Sequence, residues 1–135
     1  QEVIFDGLKN PFYAVDHRDY QLIHPNLARI KEMGGQLLCL EKERSHVPYD
    51  RAVMALRFNA HMIGTQFHPE ADSQGMTHYL NQEDKRKAVL EKHSEEKLKS
   101  MLADLQDPSK IQWTKSRVLP NFLDKAYQEV TSKTI

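Results

Sequence analysis

The chain has 135 residues, which is enough for one domain with a hydrophobic core and too few for two independent domains with a linker. Its 19 basic and 19 acidic residues balance, so overall charge does not favour a nucleic acid or an anionic membrane as a partner. The single cysteine cannot form an internal disulfide, and no apolar run approaches the roughly 20 residues of a membrane helix. Without a signal-peptide pattern either, the composition predicts a cytoplasmic protein.

The first half of the chain alternates short β-prone segments with turn-forming residues, which predicts a sheet. The segments are VIF at 3–5, FYAV at 12–15, YQLIH at 20–24, QLLCL at 36–40, AVMALRF at 52–58 and MIGTQF at 62–67. A short helix is predicted over Asn26 to Met33, with Asn26 as its cap and Gly34 as its left-handed end. We expect this helix to lie on the edge of the sheet.

After residue 72 the pattern becomes helical. One long amphipathic helix is predicted from an Asn81 cap to a stop before Pro108. Its apolar face comprises Leu98, Met101, Leu102 and Leu105. A second helix is predicted within 116–133, with Phe122, Leu123, Ala126 and Val130 on one face, and Trp113 before it is expected to anchor the tail. The whole pattern predicts an α/β fold with the late helices packed against the sheet.

The strand at 62–67 is followed directly by an acid–base pair, His68-Pro69-Glu70. Side chains at i and i+2 of an extended segment share one side, and Pro69 biases His68 towards extended geometry. We therefore expect a Glu70 oxygen within about 3.5 Å of one imidazole nitrogen, with the other nitrogen facing an open cleft. An imidazole oriented in this way can act as a general base.

A general base needs a nucleophile or a water to activate, and the chain offers only Cys39 as a thiol. Leucines surround Cys39 in QLLCLEK, and no glycine-rich turn exposes it. We interpret Cys39 as a buried small hydrophobic residue, so the nucleophile is missing from this sequence.

The motif GTQFHPE, residues 64–70, resembles the last signature of the class I, triad-type glutamine amidotransferases, Gly-x-Gln-Phe-His-Pro-Glu. Upstream, His17 and Asp19 in DHRD are similar to the family's Ser-His-x-Asp segment, with Asp16 where serine is common. The resemblance covers roughly residues 2–80 and is greatest to the glutaminase domains of the GMP-synthase type. It implies that His68 and Glu70 are catalytic and that His17 and Asp19 contact the substrate.

The same resemblance implies a fold and a reaction. Residues 1–80 would be the C-terminal portion of a three-layer amidotransferase domain, and residues 81–135 a helical extension that packs on it. The substrate would be glutamine, and the ammonia would pass to a synthase domain or subunit without a metal or other cofactor. The family's Gly-x-Cys-x-Gly elbow is absent, so the nucleophile would lie in a preceding N-terminal portion, and this chain alone should be inactive. The exposed surface left by that portion predicts self-association or a covering partner.

Four alternatives remain open at this level. His68, Glu70, Asp72 and His78 could together form a metal site. The chain could instead be a non-catalytic binding or regulatory module with an amidotransferase-like scaffold, or part of a γ-glutamyl hydrolase-like peptidase. The His68–Glu70 pair could also be purely structural. The other histidines, His24, His46, His61 and His93, are interpreted as surface or packing residues.

Overall fold

Three antiparallel strands form the sheet in a computed structural model that describes residues 2–133. They are β1 (Gln36–Leu40), β2 (Val53–Asn59) and β3 (Met62–Thr65), in the order β1-β2-β3. The two strand pairs are antiparallel, and register shifts interrupt both pairings. The three strands predicted from QLLCL, AVMALRF and MIGTQF are therefore confirmed, with small differences at their ends.

The three earlier β-prone segments do not form strands of this sheet. Val3–Phe5 is a 3-10 turn, and the segment at 12–15 contributes a single bridge, from Val15 to His68. The segment at 20–24 runs irregularly and ends at His24 with a φ of 50°. A residue with a left-handed backbone cannot continue a β-ladder. The turn at His24 therefore overrides the β propensity of the segment at 20–24.

Helix α1 (Leu27–Glu32) confirms the predicted short helix. The Asn26 side chain accepts a hydrogen bond from the Arg29 backbone N–H at 3.0 Å, and Gly34 has a φ of +80° beyond the helix end. Gly35 then enters the sheet so closely that a Cβ there would lie 2.6 Å from the carbonyl oxygen of Arg57. The helix packs against β1, which is an edge strand, as expected.

The single long helix predicted from Asn81 to Pro108 is wrong, because two helices occupy that span and a third, unpredicted helix precedes them. They are α2 (Ser73–Asn81), α3 (Glu83–Lys92) and α4 (Glu95–Gln106). Asn81 ends α2 and does not cap α3. At the second break, His93 leaves helical geometry, and the Ser94 hydroxyl accepts a hydrogen bond from the Lys97 N–H at 3.1 Å. The apolar face predicted for α4 is confirmed, since Leu98 and Leu105 are buried.

Helices α5 (Ile111–Lys115) and α6 (Val118–Ser132) complete the described chain. Val118 of α6 joins the main core, whose other buried members are Ile4, Ala55 and Phe67. The face predicted for this helix is correct only in part. Phe122 and Ala126 are half-buried, whereas Leu123 is 61% exposed and Val130 is 67% exposed.

A second, smaller core holds the helices of the second half together. Leu80 of α2, Leu105 of α4 and Ile111 of α5 are buried against one another. Residues 81–135 were expected to pack on the first half, and α6 does so through Val118 and Phe122. Across residues 2–133, no helix has the length and apolar character required to cross a bilayer.

Candidate functional site

The segment that follows β3 is anchored by Phe67. Its side chain is only 3% exposed and packs edge-on against Phe12, with ring centroids 5.6 Å apart. Its carbonyl accepts a hydrogen bond from the Thr65 hydroxyl at 3.0 Å, and the preceding Gln66 donates its backbone N–H to the Met54 carbonyl at 2.8 Å. These contacts fix the backbone immediately before His68.

The backbone of His68 is held by one bridge and one turn. Its N–H donates to the Val15 carbonyl at 2.7 Å, and its own carbonyl accepts from the Ala71 N–H at 3.3 Å. The prediction that the chain stays extended through Pro69 is therefore wrong, because Pro69 and Glu70 are the central residues of a turn. Proline suits this geometry, since its fixed φ favours the first central position of a β-turn.

The turn nevertheless joins the two side chains as expected. Nδ1 of His68 lies 2.8 Å from Oε1 of Glu70. The imidazole is 48% exposed and the carboxylate 62% exposed. A hydrogen bond from its own backbone N–H, followed by the one from His68, lowers the pKa of Glu70 below its usual range. No residue in the described range hydrogen-bonds Nε2, so that nitrogen is available to exchange a proton with a reactant.

The two residues expected to contact substrate, His17 and Asp19, are both exposed. They follow Val15, whose bridge to His68 brings this part of the chain beside the motif. Among the described hydrogen bonds and ion pairs, none joins either side chain to His68 or Glu70. Their role in substrate contact remains a prediction.

The residue between them, Arg18, was not singled out by sequence reasoning. Its guanidinium donates to Asp16 at 2.6 Å, Glu41 at 2.9 Å and Gln21 at 3.2 Å, and it also contacts the Met54 sulfur at 3.2 Å. Its side chain is only 16% exposed. In the sequence, the acids of DHRD make Arg18 look like an ordinary solvent-exposed loop residue. Only its contacts with residues distant in sequence show that it is not one.

The metal-site alternative finds no support in the arrangement of its members. One oxygen of Asp72 accepts from the Gly75 N–H at 2.6 Å and caps α2, while the other lies 3.9 Å from Lys115. His78 is exposed on the same helix, beside polar side chains of α4 and α5. Within residues 2–133, no three His, Cys, Asp or Glu side chains are grouped so that they could hold a metal ion.

Cys39 lies within β1, as predicted, with its Cα paired to that of Ala55. Burial raises the pKa of its thiol, which disfavours the thiolate that a nucleophilic cysteine needs. Cys39 packs against the main core, as interpreted, but it is half-buried and not fully buried.

Two surface depressions lie away from His68. The first, of about 140 Å³, lies between α6 and the turn that joins β2 to β3. The second, of about 510 Å³, lies among α2, α4 and α5. The first is lined mainly by Arg57, His61, Phe122, Lys125 and Glu129, and the second by Ser73, Gln74, His78, Asn81 and Gln106. The cleft expected beside the second nitrogen of His68 therefore stays a prediction.

Comparison of the chain with protein-family models, curated proteins and solved structures gives no match. A functional assignment must therefore rest on the residues themselves and on their geometry.

Proposed function

We propose that this chain is the C-terminal portion of a class I glutamine amidotransferase domain of the GMP-synthase type. The observation that carries the proposal is the 2.8 Å contact between His68 Nδ1 and Glu70 Oε1, made within the motif Gly-x-Gln-Phe-His-Pro-Glu. In this role the Cys nucleophile and the oxyanion hole belong to a segment outside these residues. The three-stranded sheet would then be one part of a larger three-layer domain in the cytoplasm.

The reaction divides into acylation and deacylation. In the first step the cysteine thiolate forms a C–S bond to the side-chain amide carbon of glutamine, the C–N bond breaks, and protonated His68 gives its Nε2 proton to the departing ammonia. In the second step neutral His68 takes a proton from water as the water attacks the thioester. The C–S bond then breaks and glutamate leaves. The ammonia passes to an acceptor held by a synthase domain or subunit.

Glu70 supports both steps through His68. A carboxylate on Nδ1 keeps a proton there, so Nε2 is the nitrogen that accepts and donates in the reaction. The same negative charge stabilises the imidazolium that forms when His68 removes a proton. The lowered pKa of Glu70 fits this role, because part of the lowering comes from the hydrogen bond with His68, which favours the ionised carboxylate.

A second candidate function is a non-catalytic docking module, and the outer face of α6 favours it. Leu119, Leu123 and Tyr127 recur every four residues, and their exposed fractions are 37%, 61% and 71%. An exposed apolar stripe of this kind is suited to contact with a synthase partner or a second copy. Under this hypothesis, substitutions at His68 would leave the biological activity of the protein intact.

The test is glutamine-dependent ammonia release by the complete protein that contains this chain. His68→Ala should lower kcat by about 10⁴-fold and Glu70→Gln by about 10²-fold, the upper and lower ends of the range for general acid–base catalysis. The 135-residue chain alone should release no ammonia, because it lacks the thiolate.

The chain offers a matched control in a second histidine–carboxylate pair. Nε2 of His24 lies 2.8 Å from Asp50 Oδ2, and the two side chains are 72% and 62% exposed. His24→Asn, which tolerates the left-handed backbone, and Asp50→Asn should retain wild-type turnover. Unchanged turnover in His68→Ala would refute the triad assignment, as would an equal loss in Asp50→Asn.

A further inference from the structure

Arg18 connects three segments that are distant in sequence. One guanidinium nitrogen donates to Asp16 at 2.6 Å and contacts the Met54 sulfur on β2 at 3.2 Å. The other donates to Glu41, just after β1, at 2.9 Å and to Gln21 at 3.2 Å. All these contacts are made by one planar guanidinium group. The three segments therefore cannot shift independently while Arg18 is in place.

Two of those segments supply the backbone acceptors that hold the His-Pro-Glu motif. The Val15 carbonyl, next to Asp16, accepts from the His68 N–H at 2.7 Å. The Met54 carbonyl accepts from the Gln66 N–H at 2.8 Å. The arginine therefore contacts Met54 through its sulfur and Asp16, the neighbour of Val15, and these two positions supply the acceptors on both sides of Phe67.

The third segment gives Arg18 a firm attachment. The Glu41 side chain is 19% exposed, and it also binds Arg44 and accepts from the Ala52 N–H at 3.4 Å. The backbone N–H of Glu41 donates to the Ala52 carbonyl at 2.8 Å. An arginine–carboxylate pair that is largely removed from solvent, with its other polar atoms hydrogen-bonded, holds its geometry better than an exposed pair.

We propose that Arg18 is a positioning residue for His68, fixing the Val15 and Met54 carbonyls that hold the backbone of the proposed general base. The inference rests on the proposed function for its kinetic consequence, and its structural consequence is independent of catalysis. Loss of the guanidinium should release the Val15 carbonyl and displace the imidazole from its working position. A displacement of about 1 Å at a catalytic group can cost 10²-fold in rate.

The experiment compares Arg18→Met, Arg18→Lys and Arg44→Met in the complete protein. Arg44→Met is the matched control. Arg44 also binds the Glu41 carboxylate, but it is only three residues from Glu41 in sequence. The first readout is amide hydrogen exchange at His68, which should be about tenfold faster in Arg18→Met and unchanged in Arg44→Met. The second is glutamine turnover, where Arg18→Met should lower kcat about 10²-fold with KM nearly unchanged.

Arg18→Lys should recover part of both effects, because it keeps a cation beside Glu41 and loses the planar fork. If Arg18→Met does not fold, Arg18→Lys carries the test with the same two readouts. Unchanged exchange at His68 in a folded Arg18 variant would overturn the proposal, as would an equal change in Arg44→Met. Arg18→Met could speed exchange at His68 while the wild-type complete protein hydrolyses no glutamine. That result would refute the proposed function and leave the positioning role in place.

Discussion

The pairing of His68 and Glu70 depends on the backbone conformation that joins them. Two side chains at i and i+2 can meet across an extended segment or across a turn, and the turn occurs here with Pro69 in its first central position. The bridge from His68 to Val15 spans 53 residues, so no local pattern could reveal it. The partners of Arg18 escaped prediction for the same reason, because Glu41 and Met54 are distant in sequence.

Glu70 provides a pH prediction at the residue scale. Because its pKa is lowered in the folded protein, its contribution to stability is present above the ordinary glutamate pKa of about 4.3 and is lost as the pH falls through the lowered value. In His68→Ala the Glu70 midpoint should rise towards the ordinary value and stay below it, since the bond from its own N–H persists. NMR titration of the Glu70 side-chain carboxyl carbon measures both midpoints. A midpoint in the variant equal to that of the wild type would contradict the contribution of His68.

Among the elements, those with a clear local signal were the ones predicted correctly. Helix α1 has both a cap and a left-handed stop, and β1 to β3 have long apolar runs with sheet neighbours. The segments at 3–5 and 20–24 share that apolar content, but within the described chain neither joins a ladder, and a single bond from the Val53 N–H to the Leu22 carbonyl links the second segment to β2. The sequence pattern predicted α3 and α4 as one helix, because the charged residues on both sides of His93 are typical of a continuous helix. The Ser94 cap starts a new helix at that point.

The junction between α3 and α4 gives a prediction at the element scale. Ser94→Ala removes the hydroxyl that accepts from the Lys97 N–H, and should lower the free energy of unfolding by about 1 kcal/mol. The matched control is Ser100→Ala, an exposed serine inside α4, which should be neutral or slightly stabilising because alanine is the better helix former. Urea denaturation followed by circular dichroism measures both changes. A Ser94 variant as stable as the wild type would argue that the cap contributes nothing in solution.

At the scale of the whole molecule, the C-terminal helices are bound to the N-terminal segment by hydrogen bonds as well as by the shared core. The Trp113 indole donates to the Gly7 carbonyl at 2.9 Å, and the Thr114 hydroxyl donates to the Tyr13 carbonyl at 2.6 Å. The Asn121 amide donates to the Asp6 carbonyl at 3.0 Å. Sequence reasoning predicted that these helices would pack on the first half, but their specific partners lie more than 100 residues away.

Thr114 allows this attachment to be tested. Its side chain is nearly fully buried, at 2% exposure, so Thr114→Val should leave the Tyr13 carbonyl without its donor and cost about 2 kcal/mol of stability. Thr131→Val is the control, since that exposed hydroxyl bonds only within α6, and its effect should stay within about 0.5 kcal/mol. Circular dichroism and the fluorescence of the single tryptophan should report one coincident transition in urea. Separate transitions would show that the two halves unfold independently.

The hydrogen bond between Gly7 and Trp113 also sets an order of events during synthesis. It closes a separation of 106 residues, and at 5 to 20 residues per second the ribosome needs roughly 5 to 20 s to add them. Throughout that interval Ile4 and its neighbours lack the α6 side of the core that later covers them. The nascent segment around Ile4 therefore presents unprotected apolar side chains for seconds, an interval in which it is open to chaperones and to aggregation.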